Sequence, residues 1–440
     1  RRSSGRRAAT AMAAAIGRPR PPPAEVLLIN ACILHVRSGV WVPGQHIHIR
    51  EGKIHRILPE AYPYDTVLAG LTVIDAGGRT VLPGLCDAHV HVTAATPSFV
   101  ELQHWSPAYA TARAAQVLHG MLLRGFTTVR DAGGADWGLA QAVAEGYIAG
   151  PRLLFAGRAL SQTGGHGDMR GRGEHAKPDG NCCCAGLGVV VDGVADVRRA
   201  CREEVRKGAT QLKIMVSGGV TSPTDRISNT QFSIEEITAA VEEGDAAGIP
   251  VMAHAYTAKA IKRALQCGVA SIEHGNLLDA ECVGLLRETG AFLVPTLVTY
   301  KALAEEGEAT GAVTAEQSGK LEEVMARGLE SLRMASEGGV RIAYGTDLLG
   351  PMHRRQLEEF EICCQVQTPL AVLQSATCDA AALFRLEDRI GAVQEGLEAD
   401  LIVVDGNPLE DIRVLTAPAT HLKLVMKGGV PYLNSLPTRP

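Results

Sequence analysis

No apolar run in this 440-residue chain approaches the roughly 20 residues needed to cross a bilayer. Nor is there an apolar core of secretory type near the start, so a cytoplasmic protein is expected. An excess of basic charge is also missing. The formal net charge of -5 and a pI near 6.3 remove the electrostatic footprint of nucleic-acid binding. The 11 cysteines are odd in number and scattered, and Cys182, Cys183 and Cys184 are consecutive, so no compact disulfide framework is present. No second cluster has metal-ligand spacing, which argues against a cysteine-based zinc site. Free thiols in a reducing compartment are the expectation.

What remains is ordinary globular composition, 46% hydrophobic and 21% charged, with length for one large domain and a smaller one. Residues 1–23 stand apart, with Arg1, Arg2, Arg6, Arg7, Arg18 and Arg20 and no acid before Glu25. Such a stretch fits a transit peptide, translated sequence ahead of a start at Met12, or a disordered basic tail. It is read here as a disordered tail.

Residues 24–80 carry short strand-like runs separated by Gly- and Asp-rich turns, and 390–440 repeat that texture around Ala399 to Asp405 and His421 to Lys427. One small β domain assembled from both ends is expected. Between them, residues 81–389 alternate strand and helix. Strands are predicted at Val81 to Val92, Phe126 to Asp131, Arg152 to Ala156, Gln211 to Val216, Pro250 to Ala255, Ala270 to His274, Phe292 to Thr296 and Arg341 to Asp347. Helical sequence separates them, including Ser233 to Ala247 with a Ser-x-x-Glu capping box. This alternation predicts an α/β chain forming a (β/α)8 barrel, whose strand ends converge on one mouth. An open doubly wound sheet would spread them along an edge.

The chemistry-bearing residues fall at those ends. His89 and His91 are two apart on a strand and share a face, which suits two ligands to one metal. His46 and His48 have the same spacing but no other candidate ligands nearby in sequence, and are taken as surface residues. Lys213 lies inside Leu212-Lys213-Ile214-Met215, where a buried ammonium is costly. Reaction with carbon dioxide would turn it into a carboxylate able to bridge two cations; a snorkelling or acid-paired lysine is the alternative. His254 and His274 end successive apolar strands. Asp347 follows Gly345-Thr346 and can ligate a metal and accept a proton from bound water.

Val81-Leu82-Pro83-Gly84-Leu85-Cys86-Asp87-Ala88-His89-Val90-His91 resembles the opening motif of the amidohydrolase superfamily. Lys213, His254, His274 and Gly345-Thr346-Asp347 follow in the family's order, and Asn407-Pro408-Leu409 resembles its close. The resemblance covers the chain from about residue 25 onward. It implies a (β/α)8 barrel with a small β-sandwich and a site for two divalent metal ions, usually zinc. His89, His91 and Asp347 would hold one, His254 and His274 the other, with N-carboxylated Lys213 bridging them. A metal-bridging hydroxide would attack a carbonyl while Asp347 shuttles the proton.

Thr163-Gly164-Gly165-His166-Gly167-Asp168, Ser217-Gly218-Gly219-Val220 and the stretch from Gly345 to His353 carry a closer likeness to the prolidase-like and ochratoxinase branch. That branch cleaves the C-terminal amide bond of dipeptides and N-acyl amino acids. Lys213 argues against the mononuclear deaminases, which lack the bridging lysine. The loop Gly157 to Gly193 is long and polar, and such loops often clamp substrate. Substrate contacts are therefore expected from His166, Arg170 and Arg172, and from Tyr256 and His353. A small amide or dipeptide is the expected partner, and the family likeness suggests a homo-oligomer. Two readings compete: a hydrolase of cyclic amides resembling imidazolonepropionase, and a non-catalytic barrel relative, which would typically lose ligands.

Overall fold

The computed structural model describes residues 25–61, 71–175, 186–310, 313 and 315–439. The basic stretch 1–23 and Cys182 to Cys184 lie outside these residues. In chain order the first five strands are β1 (Val26–His35), β2 (Val40–Arg50), β3 (Lys53–Pro59), β4 (Thr72–Asp75) and β5 (Thr80–Pro83). Then come β6 (Leu85–Val90), β7 (Phe126–Asp131), β8 (Arg152–Phe155), β9 (Ala159–Ser161), β10 (Gly188–Val190) and β11 (Leu212–Met215). These are followed by β12 (Val251–Thr257), β13 (Ser271–Leu277), β14 (Phe292–Val294) and β15 (Arg341–Ile342). The last four are β16 (Leu401–Val404), β17 (Leu422–Lys427), β18 (Val430–Asn434) and β19 (Thr438–Arg439).

Both ends of the chain meet in a nine-stranded sheet with the path β18-β17-β16-β5-β1-β2-β3, where β4 joins β1 and β19 joins β4. This is the small β-sandwich. The unbroken apolar sequence of β16 follows from burial on both faces. Leu401 and Val403 pack into the sandwich core with Val81 and Leu424, whereas Ile402 and Val404 turn to the main core with Leu82 and Val425. One strand thus joins the two hydrophobic layers.

The remaining strands form the parallel barrel. The segment predicted as one strand from Val81 to Val92 divides at Gly84. β5 belongs to the sandwich, pairing with β1 and β16, and β6 pairs with β7. The third barrel position is likewise broken. β8 pairs with β7, the chain turns at Gly157 with φ 73°, and β9 pairs with β11. The barrel closes where Ala88 N–H donates to Tyr344 O at 2.7 Å and Asp347 N–H to His89 O at 2.8 Å. Buried Asp87 secures that seam by accepting from the Thr346 hydroxyl at 2.6 Å and Gln356 Nε2 at 2.9 Å.

The helix predicted from its capping box runs Ile234–Ala247 behind Ser233, with both reciprocal bonds to Glu236 in place. The loop read as Gly157 to Gly193 holds β9 and β10. All eight cysteines among the described residues are free thiols. No helix of the described residues is long and apolar enough to cross a membrane. His46 and His48 are not surface residues. They are 1% and 6% exposed, because β2 lies between β1 and β3 and its histidine face is covered. His48 Nε2 meets Glu25 at 2.8 Å and His55 stacks edge-on against it, while His46 Nδ1 accepts from Asn30 N–H.

Candidate metal centre and substrate cavity

The parallel strands lead into one cavity, open to solvent at its mouth. His89, His91, Lys213, His254, His274 and Asp347 all line it. Ring centroids run 5.5 Å from His89 to His91, 5.0 Å from His89 to His274 and 4.7 Å from His254 to His274. The ligating atoms of His89, His274 and Asp347 lie within 4.8 Å of one another, the spacing of a single cation's donors. Asp347 Oδ1 stands 3.3 Å from His91 Nε2 and 3.5 Å from His89 Nε2.

Each imidazole has one nitrogen engaged from behind. His89 Nδ1 meets Glu273 Oε2 at 2.7 Å, His91 Nδ1 meets Gly133 O at 2.8 Å, and His274 Nδ1 meets Thr296 Oγ1 at 2.8 Å. His254 is the reverse, with Nε2 against Gly218 O at 3.1 Å. Outer partners of this kind fix which nitrogen a metal would meet: Nε2 for His89, His91 and His274, and Nδ1 for His254. Burial holds all four rings neutral, His91 down to about 4 and the others well below the ordinary histidine value. Neutral imidazole is the form that ligates. The donor set therefore fits divalent cations.

Burial also brings the Lys213 amine down to about 8 and the Asp347 carboxyl up to about 7. Asp347 and His274 hold left-handed backbones, with φ 52° and 74°. That conformation costs a non-glycine residue of order 1–3 kcal/mol and persists where surrounding structure imposes it.

Several functional partners were beyond sequence reasoning. Glu273 sits between His89 and Arg130, whose Nη2 donates to it at 2.9 Å and whose Nε donates to Ala88 O at 2.7 Å. Arg130 is 2% exposed and Glu273 0%. A charged residue inside Phe126-Thr127-Thr128-Val129-Arg130 was the available signal. Removing one member of such a pair strands a buried charge, so Arg130→Met is expected to lower unfolding free energy by about 3–5 kcal/mol. Urea denaturation measures it; a loss below about 1 kcal/mol, the value of an exposed pair, would contradict a charge pair here.

Around the polar floor the wall is apolar, with Phe99, Met169, Leu187, Val220, Leu303 and Leu349. Two of the residues expected at substrate line it, His166 and Tyr256. Tyr256 Oη accepts from Tyr300 Oη at 2.9 Å. The other three are placed elsewhere. Arg170 turns back onto Asp168, with Nε–Oδ1 at 2.7 Å, Arg172 is exposed, and His353 is buried at 5% exposure without lining the cavity.

The sequence signature of the amidohydrolase family matches residues 80–431. The chain belongs to that family. Ochratoxinase from Aspergillus niger is 35% identical over 365 residues, spanning 79% of this chain and 75% of that protein. Among solved structures, a prolidase complexed with N-methylphosphonate-L-proline superposes with a TM-score of 0.90 at 45% identity, over 93% of this chain and all (100%) of that one. A Xaa-Pro dipeptidase with methionine in its active site gives 0.84 at 31% identity, over 93% and 100%. This amidohydrolase is thus similar, along nearly its whole described length, to the prolidase and ochratoxinase branch.

Proposed function

We propose that this amidohydrolase carries two divalent cations, zinc by family likeness, and releases the C-terminal amino acid of dipeptides or N-acyl amino acids. The observation that carries the reading is the meeting of Lys213, four neutral histidines and Asp347 on the floor of one apolar cavity. Bound there, the cations would lower the pKa of water and polarise the scissile carbonyl. The rest is the work of this chain's residues. Lys213 loses little by shedding its proton in this environment, and the free amine is the form that takes up carbon dioxide, giving a carboxylate between the two ligand groups. Asp347 takes a proton from water and hands it to the leaving amine. Tyr256, its oxygen already accepting from Tyr300, has its own proton to donate to the carbonyl oxygen.

The prolidase that holds N-methylphosphonate-L-proline supports the substrate class. Its tetrahedral phosphorus has the shape that an amide carbon takes during hydrolysis, and a tight site is complementary to that shape. In this chain the carboxylate of the leaving amino acid falls to His166, the imidazole at the cavity wall. Turnover of N-acyl amino acids against their methyl esters by the zinc-loaded protein tests this. Loss of the carboxylate is expected to lower kcat/KM by roughly ten- to a hundredfold, the worth of a charge-assisted hydrogen bond. Equal turnover of acid and ester would reject the carboxylate requirement, and preferred turnover of imidazolones would favour cyclic amides.

A further inference from the structure

Tyr256 follows His254 by two positions on β12, so the two side chains share the strand face that looks into the cavity. Its ring lies 4.9 Å from that of His254 and 5.2 Å from that of His274. Behind it stands a second phenol that the metal site does not use. Tyr300 is 2% exposed, lines the same cavity and places its Oη 2.9 Å from that of Tyr256. It rises from the first turn of the helix Leu297–Thr310. That turn is anchored, since the buried Glu359 side chain accepts from Leu297 N–H at 3.0 Å and Val298 N–H at 2.5 Å.

A pair of hydroxyls can run in either sense, and one of the two leaves the Tyr256 proton for a ligand. The residue ahead of the helix decides between them. Thr296 is fully buried and holds φ 51°, a left-handed backbone that is an outlier for a β-branched side chain. Such a conformation persists where the surroundings impose it, and it clusters at functional sites. His274 Nδ1 lies 2.8 Å from Thr296 Oγ1. With Nε2 kept for a metal, Nδ1 carries the ring's proton and donates it, so Thr296 Oγ1 accepts and its own proton goes on to Tyr300. Burial pushes the Tyr300 phenol well above the ordinary tyrosine value, and the hydrogen bond from Thr296 works against that rise, as a donor to the phenol oxygen does. Among the described residues, the acceptor within reach of the Tyr300 proton is Tyr256 Oη. The Tyr256 proton is then left for a ligand in the cavity. Each bond in such a chain polarises the next.

We propose that Tyr300, oriented by Thr296, is a positioning residue that holds the Tyr256 phenol with its proton toward the scissile carbonyl oxygen. The proposal rests on the reading that Tyr256 donates to that oxygen. Without Tyr300 the Tyr256 phenol keeps its proton but loses the bond that fixes its direction. The effect falls on the transition state, where charge gathers on the oxygen, and not on ground-state binding.

The experiment is a double-mutant cycle of Tyr300→Phe and Tyr256→Phe, zinc-loaded, on an N-acyl amino acid. Tyr256→Phe is expected to lower kcat about a hundredfold or more, the loss of one donor to a developing oxyanion. Tyr300→Phe is expected to lower it about three- to tenfold, the worth of one neutral hydrogen bond, with KM moving less than about twofold. In the Tyr256→Phe background the same Tyr300 substitution changes kcat less than about twofold, because no phenol is left to aim. Binding gives a readout apart from turnover. A phosphonate with tetrahedral phosphorus in place of the scissile carbonyl is expected to bind Tyr300→Phe about three- to tenfold more weakly than wild type. The free leaving amino acid, which lacks that oxygen, binds both equally. Metal content stays at the wild-type value. Tyr300→Phe removes one oxygen atom and keeps the ring, and an unchanged melting profile checks its fold. Equal losses from Tyr300→Phe in both backgrounds would overturn the proposal, since packing alone gives that result. Unchanged kcat and phosphonate affinity in Tyr300→Phe would overturn it as well. If wild type hydrolyses no N-acyl amino acid, or Tyr256→Phe keeps wild-type kcat, the underlying reading fails and the proposal with it. If Tyr256→Phe loses activity and Tyr300→Phe does not, only the proposal fails.

Discussion

Lys213→Ala is expected to abolish turnover and to lower the bound metal. The side chain is 1% exposed on β11, ringed by four histidines and Asp347 at the cavity floor. A permanent ammonium there would repel both cations and leave a buried charge facing them, which is among the most costly arrangements in a protein interior. Burial has already brought the amine down to about 8, so a useful fraction is neutral near pH 7. As a carbamate the same side chain reverses sign and becomes the anion that two cations can share. Alanine removes that anion altogether, so the fall should exceed the roughly 10–100-fold that follows loss of an outer-shell partner. Elemental analysis of the purified variant, alongside kcat on an N-acyl amino acid, measures both effects. Short carboxylic acids added to the variant are expected to restore part of the activity by occupying the vacated space. Full activity with two metals still bound would sink the bridge.

The six residues that line the cavity floor were legible because each interrupts the apolar pattern of a strand or of the turn that follows it, and a barrel brings such positions together whatever lies between them. Lys213 and His274 needed no knowledge of the turns. The supporting shell was not legible in the same way. Glu273 reaches His89 across 184 positions, and Tyr300 reaches Tyr256 across 44. Period and spacing say nothing about such pairs. The direction of the loop arginines was not legible for a related reason. Arg170 and Arg172 lie in a segment of suitable composition, but a loop's sequence does not fix its direction, and Arg170 found an acid two residues back. The division of the first predicted strand at Gly84 was hidden because both halves are buried and one residue alone separates them, so their sequence reads as one run.

Asp347→Asn is expected to lower kcat by at least about a hundredfold, the low end for general base catalysis, with KM changed far less. Asparagine keeps the shape and an oxygen ligand but has almost no basicity, so the substitution isolates proton transfer from packing. The position is held tightly enough for that separation. Its N–H donates to His89 O at 2.8 Å, and its neighbour Thr346 is bound to Asp87 through both hydroxyl and amide. The carboxylate is 21% exposed, on the cavity side, within reach of water. Burial pushes it up to about 7, and cations at the adjoining histidines would pull it back down and keep it ionised at neutral pH. The sign of the pH dependence follows. A base must be deprotonated to act, so wild-type kcat falls as the pH drops through the Asp347 pKa. That acidic limb should vanish from the residual activity of the asparagine variant. Near-native kcat, or an acidic limb that survives the substitution, would remove Asp347 from the proton's path and leave it a ligand alone.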